Sequence, residues 1–226
     1  LNVVLIGDST LDNGLYTDGG PSVPEHLEAL LGSDGVVTML AVDGNTTADV
    51  ENSLSAVPKE ATHLFMSVGG NDAMLRVDVL ERAANSVSAA LLELANVMEG
   101  FRDDYHRCLD AVLQLGLPTS ICTIYNGAFE EETGEQTVIS TALCVFNNVI
   151  VQAGLDHGLT VVDLRRVCSR RSCFANPIEP NTEGGRKIAE SILEATQLNL
   201  TGKSTILPSG EAALPTPQDS QSIRSK

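Results

Sequence analysis

Apolar and polar positions fall along this chain in blocks that alternate between strand and helix. Residues 2–6 open with the continuous apolar run Val3-Val4-Leu5-Ile6, the mark of a strand buried on both faces, and a polar, glycine-rich loop continues to Gly20. A helix is expected over about 24–31, an apolar strand over 36–42, a threonine-capped helix over about 48–56, and a third strand over 62–68. Helical spacing of Leu91, Leu94, Ala95, Met98, Leu109, Val112 and Leu113 predicts a long helical stretch over about 80–115. Gly100 and the charged Arg102-Asp103-Asp104 mark a bend or break within it. A fourth strand is expected over 118–125, an exposed glutamate-rich loop over 126–135, a helix over 136–157, a fifth strand over 159–164 and a closing helix over 182–197.

This order, with no internal repeat, predicts one α/β domain over 1–200 built on a five-stranded parallel sheet with helices on both faces. A disordered tail is expected over 201–226, where Pro, Ser, Gly and Gln occur without periodicity. Apolar residues make up 42% of the chain and aromatics 4%, with no Trp, so the core is assembled from Ala, Val, Leu and Ile. A formal charge of −16 argues against nucleic acid or an anionic membrane as the principal partner. No continuous run approaches the ~18 apolar residues of a membrane span, and the sequence begins at Leu1, already inside a strand pattern. Five cysteines without a C-x-x-C pair point to free thiols in a reducing, cytoplasmic setting and to no structural metal. Cys168 and Cys173 are the one pair placed to test for a bridge.

Parallel strands bring Ser9, Gly44, Asn71, Tyr125 and Asp163 to one edge of the sheet, where open α/β sheets bind ligands. Ser9 is there a candidate nucleophile. The Ser9 and Gly44 N–H groups and the Asn71 amide are candidate donors to the oxyanion that forms on an attacked carbonyl. Gly44 also reads as a turn glycine and Asn71 as a helix cap. Asp8 and Asp72 are expected to fix loops through hydrogen bonds, and Asp12, Asn13 and Tyr16 to line the pocket. Arg165, Arg166, Arg170 and Arg171 either balance an acidic protein or hold an anionic group of the substrate.

These residues resemble the motif blocks of the SGNH (GDSL-type) hydrolase family. Gly7-Asp8-Ser9 is similar to its first block, Gly44 to the oxyanion glycine of the second and Gly70-Asn71-Asp72 to the third, and the likeness runs from about 2 to 197. The resemblance implies a flavodoxin-like α/β/α sandwich that hydrolyses small esters, thioesters or acetylated sugars with no metal or organic cofactor. The fourth block departs from the pattern. Where the family carries Asp-x-x-His, with the histidine as base, this chain has Asn176-Pro177-Ile178-Glu179-Pro180, a variant that resembles a bacterial branch of the family. Asn176 then stands for the aspartate and Glu179 for the histidine. Asp8, Asp12, Asn13, Asp72, Tyr125 and Asn176 are grouped as candidate substrate contacts.

No histidine replaces the missing one convincingly. His63 starts the third strand, roughly 20 Å from its far end, and His157 precedes the fifth. His106 sits in the long helical stretch, and His26 alone lies within one turn of the catalytic edge. Glu179 is the leading base, with an unperturbed pKa of ~4.3 against ~6.5 for histidine; burial would raise it. Its alternative is an ion pair with a nearby arginine. Two readings follow: a serine acyl-hydrolase using Ser9, Gly44, Asn71 and Glu179, or a catalytically silent protein that binds a carbonyl-containing or anionic ligand.

Overall fold

A computed structural model describes residues 1–198 and 205–207. Six parallel strands form one sheet in the order β2-β1-β3-β4-β5-β6, with β1 at Asn2–Gly7, β2 at Val36–Met39, β3 at His63–Ser67, β4 at Thr119–Cys122, β5 at Thr160–Val162 and β6 at Thr205–Leu207. The order reverses between β1 and β3, so the crevice that accepts ligands in such sheets lies beyond Gly7 and Ser67.

Alternate side chains of β1 face opposite layers. Val3 and Leu5 join a core closed by α1 (Val23–Leu31) and α7 (Thr182–Leu198), through Leu27, Ile188 and Ile192. Val4 and Ile6 join the other core with α2 (Thr47–Ser53), α4 (Val87–Leu113) and α5 (Glu135–Asp156), through Val50, Phe101 and Ile150. Shorter helices α3 (Gly70–Met74) and α6 (Leu164–Val167) follow β3 and β5 directly. The flavodoxin-like three-layer sandwich expected from the sequence is thus present.

Four expectations need correction. Among the described residues the sheet has six strands, not five, because Thr205–Leu207 pairs with β5; three residues are too short a run to stand out from the tail. The remainder of the tail expected to be disordered lies outside the described residues. Gly100 does not break α4. A helical glycine costs about 1 kcal/mol, and the next residue, Phe101, is buried against Tyr105 and Phe146, which holds the turn in place. That helix begins later than expected, at a Ser86 side chain that accepts from Ala89 N at 3.1 Å. Finally, α5 is long and apolar enough to cross a membrane, with a mean hydropathy of 1.7 over its best window. Counting only uninterrupted apolar runs hid this, because Thr, Ser and Asn interrupt it. Here Val149, Ile150 and Ala153 face the core and Gly154 lies against Val161.

The end of β1 is the tightest point of the sheet. Gly7 has φ +135°, and a Cβ there would stand 1.6 Å from the Ser67 carbonyl oxygen. Gly7→Ala is expected to destabilise the fold by about 3 kcal/mol or more, measured as a lower denaturant midpoint.

Candidate active site

The glycine at the end of β1 lets the chain cross β3 and turn. Asp8 N donates to Ser67 O at 3.0 Å, and Leu11 N and Asp12 N both donate to Asp8 O at 3.1 Å, which leaves Ser9 at the head of a single helical turn. Asp8, almost fully buried, accepts from Thr10 N at 3.1 Å and from the Ser67 hydroxyl at 3.2 Å. Burial dominates over these donors and pushes its pKa up to about 6.

Two further loops are laced to this turn. Asp12 accepts from Asp43 N at 3.0 Å, and the Tyr16 hydroxyl donates to Asp43 Oδ2 at 2.6 Å, so the turn that contains Gly44 is held by the loop after Ser9. Gly44 has φ +87°, a conformation that favours glycine. Asp72 accepts from Thr47 N at 3.1 Å and the Thr47 hydroxyl at 2.7 Å, which ties α3 to the start of α2. Asn71 Nδ2 donates to Asn45 O at 2.9 Å, fixing its amide beside the Gly44 turn. Among the described residues, neither Ser9 N nor Gly44 N donates to any protein group.

The fourth element is the loop before α7. Asn176 Oδ1 accepts from Ile178 N and Glu179 N, both at 2.9 Å, making the turn that presents Glu179. The turn is braced on both sides: Tyr125 donates to Ile178 O at 2.6 Å, Ala128 N to Pro177 O at 2.8 Å, and Phe174 bridges to Pro180. Buried Asn13 clamps it to the Ser9 loop, its amide donating to Pro180 O at 3.1 Å and its Oδ1 accepting from Val23 N at 2.8 Å. The Ser9 hydroxyl neighbours the Glu179 carboxylate, whose Oε2 has no hydrogen-bond partner among the described residues. Burial, with the negative charges of Asp43 and Asp8, raises Glu179 to about 7 against the opposing pull of the Ser9 hydroxyl.

Ser9, Asn71, Glu179, Asp8 and Tyr125 all line one cavity of ≈ 250 Å³, whose opposite wall is apolar and includes Val79, Leu80, Leu94, Val97, Ile139 and Phe146. Asp12, Asn13, Asp72 and Asn176, grouped by sequence as substrate contacts, are absent from its wall, as is Gly44. The carboxylates of Asp12 and Asp72, and the amides of Asn13 and Asn176, are taken up holding the loops. Tyr16 does the same. Asp163 also stays apart, bonded to the Thr123 hydroxyl at 3.0 Å and to Arg165 Nε at 2.7 Å. None of the four clustered arginines reaches the cavity or Glu179. Arg171 donates to Ala128 O, and the ion-pair alternative for Glu179 has no partner among the described residues. His26 is spent on Thr182, 3.1 Å from its carbonyl oxygen, and does not enter the site.

The sequence model of the GDSL-like Lipase/Acylhydrolase family matches residues 5–187. The chain belongs to that family. It is a carboxylic-ester hydrolase of GDSL type. Solved structures similar to it include an extracellular lipase from Streptomyces rimosus, 17% identical, covering 86% of this chain and 99% of that one with a TM-score of 0.65. A phospholipase A1 from Streptomyces albidoflavus is 18% identical over 86% of this chain and 98% of its own, with a TM-score of 0.64. The lipase Lip_vut3 from a goat rumen metagenome is 16% identical, over 86% and 97%, with a TM-score of 0.66. At these identities the likeness speaks for the fold. No curated protein sequence matches.

Within this GDSL-type hydrolase, the apolar half of the cavity is what sequence reasoning missed. Its signal was the apolar content of 74–80 and the early turns of α4, which reads as core until the helices are placed. The raised acids also set a pH dependence. A carboxyl group with a folded pKa above its unfolded value stabilises the fold below the unfolded pKa and loses that contribution as pH rises through the folded one. For Glu179 the window runs from about 4.5 to about 7. Glu179→Gln is therefore expected to be more stable than the parent at pH 8, by about 2 kcal/mol, with the difference gone by about pH 4. Urea unfolding at the two pH values measures it.

Proposed function

We propose that this hydrolase cleaves small esters with an apolar acyl group, through a Ser9 acyl-enzyme formed with Glu179 as general base. The observation that carries the reading is a buried carboxylate, Glu179, that shares the cavity wall with the Ser9 hydroxyl and has its pKa raised to about 7. A base poised there is largely ionised at mildly alkaline pH and is still acidic enough, once protonated, to return a proton to a leaving group.

Glu179 takes the proton as Ser9 Oγ attacks the ester carbonyl. Charge on the carbonyl oxygen is met by Ser9 N–H, Gly44 N–H and the second N–H of Asn71, none of which donates elsewhere among the described residues. Protonated Glu179 gives its proton to the departing alkoxide. Water, deprotonated by Glu179 in turn, hydrolyses the acyl-serine. Asn176 acts as a positioning residue by fixing the turn that carries the base. The apolar wall beside Ser9 receives the acyl chain, and with Asp8, Asp43 and Glu179 facing the same end of the sheet, an anionic acyl group is disfavoured.

Ser9→Ala is expected to abolish labelling by a fluorophosphonate probe. Glu179→Gln should lower kcat by about 10²–10⁴-fold with little change in KM, in protein whose circular dichroism is unchanged. In the parent, kcat/KM should rise with pH and level off above about 7. Across p-nitrophenyl esters, kcat/KM should increase from acetate, by up to about fourfold per methylene, until the cavity is full. A Glu179→Gln variant as active as the parent would exclude the carboxylate as base.

A further inference from the structure

One cluster of reactive side chains lies outside the active site. Cys168 follows α6, and Cys173 ends the short 3-10 turn Arg171–Cys173. Both are buried in the same core cluster, and each thiol shifts the titration of the other. Lys187 Nζ donates to Cys173 Sγ at 3.2 Å and pairs with Glu183 at 3.0 Å. Residues 169–172, which join the two cysteines, are all exposed, so the pair sits directly under a surface loop. Cys108 and Cys122 differ, being buried with no cation beside the sulfur at hydrogen-bond distance, and Cys144 is exposed.

We propose that Cys168 and Cys173 are a redox-active dithiol, closing to an intramolecular disulfide when a small-molecule disulfide reaches them through the loop 169–172. Cys173 is the attacking thiol. The neighbouring Cys168 thiol and the Lys187 ammonium 3.2 Å away hold its pKa below that of an ordinary thiol, while Cys173 and burial hold Cys168 above it. In the first step the Cys173 thiolate attacks one sulfur of glutathione disulfide. A protein–glutathione S–S bond forms, the glutathione S–S bond breaks, and the leaving thiolate takes a proton. Cys168 then loses its proton to solvent and attacks Cys173 Sγ, releasing the second glutathione. Two protein thiols give up two electrons and two protons, and glutathione disulfide receives them.

The position gives the bond a consequence at the active site. Cys173 O accepts from Asn181 N at 2.9 Å, and Phe174 and Pro180 pair immediately beyond, so Cys173 is the foot of the loop that carries Glu179. A bond to Cys168 anchors that foot to α6. The proposal stands whether or not Glu179 is the base.

The test compares the intact protein after excess glutathione disulfide and after dithiothreitol, with peptide mapping of the alkylated digests. Exposed Cys144 is the internal control and should carry glutathione. The Cys168 and Cys173 sites are expected joined to one another, about 2 Da below the dithiol mass. In Cys144→Ser, oxidation should raise Tm by about 4–8 °C, as closure of a short loop predicts. In Cys168→Ser, Cys173 should carry glutathione, and Lys187→Met should slow bridge formation at pH 7 by about fivefold. Recovery of Cys168 and Cys173 as separately alkylated thiols under conditions that fully modify Cys144 would overturn the proposal.

Discussion

A carboxylate in a crowd of carboxylates is the constraint around which this site is built. Asp8, Asp12, Asp43, Asp72 and Glu179 all stand near the ends of β1 and β3, in a protein that already carries a formal charge of −16. Four of them are paid off by donors: Thr10 N and the Ser67 hydroxyl for Asp8, Asp43 N for Asp12, Tyr16 for Asp43 and Thr47 for Asp72. Glu179 neighbours the Ser9 hydroxyl and keeps an oxygen with no hydrogen-bond partner among the described residues. A buried group left short of hydrogen bonds is expensive, and here that expense falls on the acid proposed as base. Stability given up at a site is a common cost of reactivity.

The acids that do not touch the cavity nevertheless set its dimensions. Asp12 and Tyr16 hold the Gly44 turn, Asp72 holds α3 to α2, and Asn13 joins the Ser9 loop to Pro180. Each joins segments far apart in sequence, and together they fix three strand ends and the closing loop as one frame. Such a frame keeps the N–H groups of Ser9 and Gly44, the proposed oxyanion donors, in place before any substrate arrives, which is what preorganised stabilisation of charge requires.

Much of this was legible in the residues alone. Apolar runs ending in glycine and a polar side chain marked β1 and β3, and three motif blocks in order marked the family. What the sequence could not convey was the division of labour among polar residues. Asp12, Asn13 and Asn176 have the same side-chain chemistry whether they meet a ligand or a backbone amide, and only the partner 3 Å away decides. The apolar cavity escaped for a related reason, because Leu94 and Ile139 follow the same helical periodicity as Leu109 and Ile150, which are core. β6 lay beyond reach, since three residues of a strand carry too little pattern.

The proposed exchange of an imidazole base for a carboxylate alters how charge moves during the reaction. A neutral histidine base, as in the family resemblance, becomes a cation while an anion forms on the substrate, so two opposite charges are created. As the proposed base, Glu179 begins negative and becomes neutral as the carbonyl oxygen becomes negative, so that in this proposal a single charge migrates across the site. Migration leaves the total unchanged and calls for less reorganisation of the surroundings than separation of charge in a medium of low dielectric. An apolar wall with few dipoles, such as the one formed by α4 and α5, is compatible with that kind of step.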